Sequence, residues 1–154
     1  MENIIVMRHL FPLFMITITL LCGCNDQYQE VPPEREPHYS EVENLHIEWK
    51  DLFSQEDEFY CAYVYSVSCV PCSMLREQVI NFAKENHIKF YFIFPSGDIP
   101  FVEDPVQADN SLGASKIEDV YCYNTPTLIE ITNHTISKYL RDYYEIKGYM
   151  ESYQ

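Results

Sequence analysis

Apolar residues recur at three- and four-residue steps in three segments, which predicts three helices with one apolar face each. The first begins near Glu41, the second follows Cys72 and ends near residues 86–87, and the third lies at the C-terminus. A weaker helix is expected at residues 111–120. The three predicted apolar faces consist of Val42, Leu45, Trp49, Leu52 and Phe53; of Leu75, Val79, Phe82 and Ala83; and of Tyr143, Ile146, Met150 and Tyr153.

Four other runs predict the strands of one sheet. Residues 59–65 and 90–94 are uninterrupted aromatic and aliphatic runs, as expected of strands buried on both faces. Residues 127–131 and 135–139 form a predicted hairpin that turns at Asn133 and His134. The resulting order is a βαβ unit followed by a ββα unit. The predicted fold is α/β, a mixed sheet flanked by helices, with an added N-terminal helix.

Residues 1–23 have the pattern of an export signal. Arg8 and His9 precede an apolar run of about a dozen residues, short of the roughly 20 that span a bilayer as a helix. An uncleaved N-terminal anchor is the alternative. The run ends in Leu21-Cys22-Gly23-Cys24, which resembles the lipobox of bacterial lipoproteins. That resemblance implies cleavage before Cys24 and a diacylglycerol on its thiol.

The rest of the chain divides into a tether and one domain. Residues 24–40 are polar, acidic and contain prolines, which predicts an extended spacer without a core. Residues 41–154 are long enough for a single core. The net charge of −14 argues against a nucleic-acid partner, because such a partner needs a basic face. It also argues against binding anionic lipid by charge, so attachment to the membrane would depend on acyl chains.

The informative chemistry lies in Cys69-Val70-Pro71-Cys72, between a predicted buried strand and a predicted helix. Cys69 is expected at the helix N-terminus, where free N–H groups and the helix dipole favour a thiolate and lower the pKa of the thiol below about 8.5. Cys72, one turn further on, is expected to be shielded and to resolve a mixed disulfide. Pro71 fits the first helical turn, where its missing N–H costs little.

This stretch resembles the redox motif of the thioredoxin superfamily. A second motif supports the resemblance, because Thr125-Pro126 stands just before a predicted strand, 54 residues after Cys72. In that family a similar dipeptide holds a cis proline facing the redox pair. The resemblance implies that Pro126 is cis and that Thr125 and Pro126 bind the thiol substrate. An ordinary trans proline at the start of a strand is the alternative.

Two positions depart from thioredoxin itself. Ser68 stands where thioredoxin has tryptophan, and Tyr63 stands where it has a buried acid. Without that carboxylate, a proton relay for Cys72 must use water or another group, so neither the rate nor the potential of thioredoxin is implied. The short acidic lipoprotein form also resembles thioredoxin-like accessory proteins for secreted bacteriocins.

The cysteine pair has two other interpretations: half of a zinc site, and a permanent structural disulfide. The first lacks a second close pair of ligands among the remaining cysteines and histidines, so no metal is expected. Cys61 is expected to be a buried strand residue, and the resemblance to the thioredoxin fold implies that it lies too far from Cys122 for a disulfide. Cys122 has a possible auxiliary redox role through its nearness in sequence to Pro126. The histidines are expected at the solvated surface. The remaining candidates considered as ligands are Cys61, Cys122, His38, His46, His87 and His134.

The expected function is thiol–disulfide exchange on secreted or membrane proteins, at the extracytoplasmic face of the cell membrane. The redox-active Cys69–Cys72 disulfide is the only cofactor expected. Val70-Pro71 lacks the histidine of oxidase and isomerase pairs and resembles reducing members of the superfamily, which favours a reductase supplied by a membrane redox partner. The alternatives are a non-catalytic adaptor lipoprotein and a disulfide-forming accessory protein for a secreted peptide.

Overall fold

The computed structural model describes residues 37–85 and 88–153. The predicted signal at residues 1–23, Cys24 and most of the predicted tether lie outside them. No helix in the described part of the chain has the length and apolarity needed to cross a membrane. The strands are β1 (Phe59–Val64), β2 (Lys89–Ile93), β3 (Thr127–Thr132) and β4 (Thr135–Leu140). The helices are α1 (Val70–Glu85), α2 (Pro105–Asp109) and α3 (Tyr143–Glu151), with 3-10 helices at Tyr39–Leu45, Trp49–Asp51 and Ile117–Asp119.

The strands form one mixed sheet in the order β2-β1-β3-β4. β1 and β2 are parallel, whereas β3 is antiparallel to both β1 and β4. α1 joins the parallel strands β1 and β2. A turn at Asn133 and His134, whose φ angles are +50° and +56°, joins the antiparallel strands β3 and β4. The predicted mixed sheet with flanking helices and the predicted hairpin are therefore both confirmed.

Alternation along β1 divides the core between the two faces of the sheet. Cys61 and Tyr63 point to the side covered by α1, α3 and the first 3-10 helix. Tyr60, Ala62 and Val64 point to the other side. The second side is covered by the following residues of the irregular segments: Trp49, Leu52, Ile99, Val120 and Cys122.

The segment before β1 differs from the single helix predicted from Glu41. It forms two short 3-10 helices, and between them His46 pairs with Phe92 at the edge of β2. Val42 then packs on one face of the sheet and Trp49 on the other. A continuous helix has one apolar face and cannot serve both sides, so the chain crosses the sheet edge instead. Tyr39, within the predicted tether, is also part of the core.

The helix predicted at residues 111–120 is also wrong. A single turn, α2, begins earlier, where the Asp104 carboxylate accepts the Val106 N–H at 2.9 Å. Gly113 has a φ of +85°, which ends any helix there. Its N–H donates to the Ile136 carbonyl at 2.9 Å, and the Ala114 carbonyl accepts the Ile136 N–H at the same distance. The backbone of this segment therefore pairs with β4 rather than with itself.

Candidate redox site

Three loops meet at one end of the sheet. β1 and β2 are parallel, so both end there, and β3 runs in the opposite direction and begins there. The loop after β1 carries Cys69, and the loop before β3 carries Thr125 and Pro126. The topology thus brings together two motifs that are far apart in sequence.

Cys69 and Cys72 form a disulfide with their Cα atoms 5.2 Å apart. Cys69 immediately precedes α1, and its carbonyl accepts the Ser73 N–H at 3.1 Å. The Cys72 N–H points at Cys69 Sγ, 3.1 Å away. Once the pair is reduced, this donor and the helix dipole both favour negative charge on the Cys69 sulfur.

The two sulfurs differ in access. Cys69 is partly exposed, whereas Cys72 is 1% exposed. A partner in solution can therefore contact Cys69, while Cys72 is accessible mainly to its own disulfide partner. This asymmetry matches the division into an attacking and a resolving cysteine that thiol–disulfide exchange requires.

The loop before β3 faces the pair. Its Thr125–Pro126 peptide bond is cis, as predicted. Cys69 Sγ lies 3.2 Å from the Thr125 carbonyl oxygen. Thr127 Oγ1 donates to the Asn124 carbonyl at 2.8 Å and so holds the loop at the start of the strand. Thr125 is partly exposed and Pro126 is buried, and the substrate-binding role of both residues stays a prediction.

Apolar side chains on these loops and on the first turns of α1 are open to solvent. Val67 and Val70 flank Cys69 in sequence and are 79% and 69% exposed. Met74 and Tyr123 are exposed as well. Exposed apolar residues grouped on neighbouring elements are typical of a surface that contacts other proteins.

Tyr63, at the position of the buried acid of thioredoxin, is fully buried. Its hydroxyl makes no hydrogen bond of normal geometry to the residues that the structure describes, and the Tyr39 hydroxyl is its polar neighbour. Burial keeps the pKa of Tyr63 above its ordinary value, so this side chain stays neutral. It cannot replace the carboxylate of thioredoxin as a proton acceptor. The neighbouring Tyr39 hydroxyl donates to the Cys72 carbonyl at 3.4 Å, a contact that the sequence did not suggest.

Cys61 and Cys122 are free thiols on opposite faces of the sheet, as expected for residues too far apart to bridge. Both are fully buried. Burial raises the pKa of each thiol to about 12. In this structure Cys122 is therefore closed to solvent and lacks the exposure that an auxiliary redox role requires.

Glu130 on β3 is a buried carboxylate that the sequence analysis missed. Burial opposes its charge, but hydrogen bonds from Lys138, Tyr149 and Ser137 outweigh that effect and lower its pKa. The donor–acceptor distances are 2.9 Å for Lys138, 2.6 Å for Tyr149 and 2.7 Å for Ser137. It pairs in register with Cys61, three residues before the end of β1, which places it away from the redox pair. We assign it a role in stability.

His46 corrects the expectation that the histidines are solvated surface residues. Its Nδ1 lies 3.1 Å from the Val42 carbonyl and its Nε2 lies 2.8 Å from the Tyr65 hydroxyl. A carbonyl only accepts, so Nδ1 donates to Val42, whereas the bond between Nε2 and the Tyr65 hydroxyl can run in either direction. Among residues 37–85 and 88–153, no group of three or more His, Cys, Asp or Glu side chains is arranged to hold a metal ion.

Neither a protein-family model nor a curated protein matches this sequence. Solved structures of thioredoxins are similar to it. Thioredoxin f2 of Chlamydomonas reinhardtii matches at 12% identity and a TM-score of 0.48, covering 71% of this chain and 95% of its own. Mitochondrial thioredoxin 3 of Saccharomyces cerevisiae matches at 12% and 0.43, covering 70% and 92%. A mutant thioredoxin of Halobacterium salinarum matches at 21% and 0.40, covering 71% and 88%.

These likenesses concern the fold of the chain alone. The sheet order, the helices on its faces and the two loops that meet at one end make the fold thioredoxin-like. Within that fold, a Cys-x-x-Cys disulfide stands at the N-terminus of α1.

Proposed function

We propose that this protein catalyses thiol–disulfide exchange on secreted or membrane proteins, outside the cytoplasm. The observation that carries the proposal is the disulfide at the start of α1, with a partly exposed Cys69, a buried Cys72 and the cis Thr125–Pro126 bond facing them. A disulfide that served only to staple the fold would gain nothing from this asymmetry or from an open sulfur.

The reaction in the reducing direction has two steps. The Cys69 thiolate attacks one sulfur of a substrate disulfide, forming a mixed disulfide and releasing the other substrate sulfur as a thiolate. The Cys72 thiolate then attacks Cys69 Sγ, closing the Cys69–Cys72 bond and releasing the second substrate thiolate. The substrate gains two electrons and the pair loses two, so an electron donor, proposed to be a membrane redox protein, must reduce the pair again.

Trapping of the mixed disulfide tests the mechanism. In a Cys72→Ser variant the second step is lost, so partner proteins should accumulate on Cys69 as higher-mass bands that dithiothreitol removes. Cys69→Ser is the matched control, because it keeps the fold and one cysteine but removes the attacking sulfur. The proposal would be contradicted if Cys72→Ser trapped no partner and the native protein failed to reduce insulin disulfides. Those two results together would favour a non-catalytic adaptor.

We further propose the reducing direction, supported by Val70-Pro71 between the cysteines. The residues at these two positions adjust how strongly the reduced thiolate is stabilised, and the strongest oxidants stabilise it most. Equilibration with glutathione should give a potential closer to the about −270 mV of thioredoxin than to the about −120 mV of a strong oxidant. A value near the oxidising end, with the pair oxidised in cells, would instead indicate disulfide formation in a secreted peptide.

The lipobox at Leu21-Cys22-Gly23-Cys24 supports a location at the extracytoplasmic face of the cell membrane. Cys24 would carry the lipid, and the acidic segment 24–40 would hold the domain away from the bilayer. The net charge of −14 gives no electrostatic attraction to anionic lipid, so the acyl chains would supply the attachment.

A further inference from the structure

A groove lined by aromatic residues lies near the redox motif. It has a volume of about 400 Å³. We call it the aromatic groove, and its lining residues are His38, Tyr39, Ser40, Glu43, His46, Tyr65, Val67 and Phe94. Two lining residues connect it to the redox motif: Val67 stands two residues before Cys69, and the Tyr39 hydroxyl donates to the Cys72 carbonyl.

Among the residues that the structure describes, the lining combines aromatic rings with one acidic side chain, Glu43. Phe94 supplies an exposed ring, whereas Tyr39 and Tyr65 are buried and stack on each other. Glu43 is exposed and has no ion-pair partner within the described segments, and the lining contains neither lysine nor arginine. An unpaired carboxylate beside aromatic faces is a favourable environment for an organic cation.

The two histidines of the lining are held by hydrogen bonds within the chain. The ring nitrogens of His46 are occupied by the Val42 carbonyl and the Tyr65 hydroxyl. His38 Nδ1 accepts the Ser40 N–H at 3.3 Å as the cap of the first 3-10 helix. Both rings are thus engaged within the chain, and the Glu43 carboxylate is the acidic group of the described lining.

We propose that the aromatic groove binds a lysine or arginine side chain that lies within a few residues of the substrate's cysteine. This inference rests on the proposed function and adds a substrate class to it, namely basic segments that flank a disulfide. Charge complementarity supports it both at the groove, through Glu43, and in the whole chain, whose net charge is −14.

The separation between Cys69 and the aromatic groove is one that a single extended peptide can span. Val67 lines the groove two residues before Cys69, so their Cα atoms are at most about 7 Å apart. A peptide joined to Cys69 through its own cysteine spans about 3.3–3.6 Å per residue. Side chains two to four positions from that cysteine therefore reach the aromatic groove.

Peptide reaction rates test the proposal. The probe is a nine-residue peptide whose central cysteine is a mixed disulfide with thionitrobenzoate. Reduced protein is mixed with versions that carry arginine or glutamine at each position from two to four residues on either side. The Cys69 thiolate attacks the peptide sulfur, the coloured aryl thiolate leaves with the bonding electrons, and Cys72 then releases the peptide thiolate. The increase in absorbance of the released aryl thiolate gives the reaction rate.

Arginine should raise the rate about three- to tenfold at one or two positions only, as a cation–π contact and one exposed ion pair allow. Glu43→Gln and Phe94→Ala should each remove most of this preference. Glu118→Gln is the matched control, because it makes the same charge change in a second groove lined by Trp49 and Tyr121, and it should keep the preference. Circular dichroism verifies that each variant is folded.

Two results would overturn the proposal. The first is equal reaction rates for the arginine and glutamine peptides. The second is a preference for arginine that is the same at every position and is reduced equally by Glu43→Gln and Glu118→Gln. That result would indicate only long-range electrostatic attraction. Neither result contradicts thiol–disulfide exchange. If no peptide reacts, the proposed function fails instead, and NMR shifts at Tyr65 and Phe94 on adding the arginine peptide with serine for cysteine decide whether the groove binds it.

Discussion

At the scale of single residues, two tyrosines on β1 differ in one hydrogen bond. Tyr60 and Tyr63 are both fully buried, but the Tyr60 hydroxyl donates to the Leu52 carbonyl, while that of Tyr63 makes no hydrogen bond of normal geometry in the described part of the chain and has only the Tyr39 hydroxyl beside it. An unsatisfied buried polar group costs about 1–3 kcal/mol, and a satisfied one contributes about 1 kcal/mol. The same chemical change should therefore have opposite effects at these two positions.

Tyr63→Phe should leave the free energy of unfolding unchanged or raise it by about 1 kcal/mol. Tyr60→Phe should lower it by about 1 kcal/mol, because the Leu52 carbonyl loses its donor. Urea unfolding of the oxidised proteins measures both. A clear loss of stability in Tyr63→Phe would mean that its hydroxyl has a partner, such as a buried water, in solution.

Glu130 makes stability depend on pH. Its pKa is lower in the folded chain than the ordinary value of 4.5, so its stabilising contribution is complete above that value and declines as the pH falls further. Glu130→Gln should cost about 1–2 kcal/mol at pH 7, less than a fully buried pair because Lys138 is half-exposed. The difference from the native protein should shrink below about pH 4.5.

Unfolding curves at several pH values measure the effect of Glu130→Gln. Glu118→Gln, an exposed substitution, should change stability by less than about 0.5 kcal/mol at every pH. A difference for Glu130→Gln that stays constant down to pH 3 would show that its charge is not the stabilising property.

At the scale of elements, the β3–β4 turn places two side chains in the left-handed region. His134 has a φ of +56° and is exposed, so its side chain contributes little there. His134→Gly should raise the free energy of unfolding by a few tenths to about 1 kcal/mol, because glycine adopts positive φ without steric cost. Thr135→Gly, one residue later in β4, should lower it. Thermal unfolding compares the two, and loss of stability in both would contradict this account of the turn.

Elements with a single strong pattern were predictable from the sequence. β1, β2 and the hairpin follow from apolar runs and a turn, and α1 follows from a stripe after the cysteine pair. The structure of the segment from Tyr39 to Asp51 was not predictable, because three- and four-residue spacing indicates only which residues are buried. It does not indicate that Val42 and Trp49 are buried on opposite faces of the sheet.

The redox site was predictable for a similar reason. Cys69, Cys72 and Pro126 occur in short local motifs, and the topology brings those motifs together. The contacts of Tyr39 and His46 with this region are long-range, and nothing in the neighbouring sequence indicates them. Glu130 was missed because it lies within an apolar strand, and its ion pair with Lys138 forms only in the folded sheet.

At the scale of the whole molecule, the proposed membrane attachment depends on Cys24, which lies outside the described residues. We expect the mature protein to begin at Cys24 and to partition with membranes, and Cys24→Ser to abolish both. Cys22→Ser should leave both unchanged, because serine is equally small at the middle of the lipobox. Intact mass of the membrane fraction measures this. A soluble product, or one that retains residues 1–23, would contradict the lipobox interpretation.

The outer strands of the sheet are partly covered by the chain's own backbone. The Ile47 N–H donates to the Phe92 carbonyl on β2, and Gly113 and Ala114 pair with Ile136 on β4. Open strand edges attract other extended chains and promote aggregation. Under the proposed function, the partners of this protein are other chains that carry a disulfide. Backbone cover at both sheet edges would then leave the loop end with Cys69 as the open face for them, which favours disulfide exchange over pairing between strands.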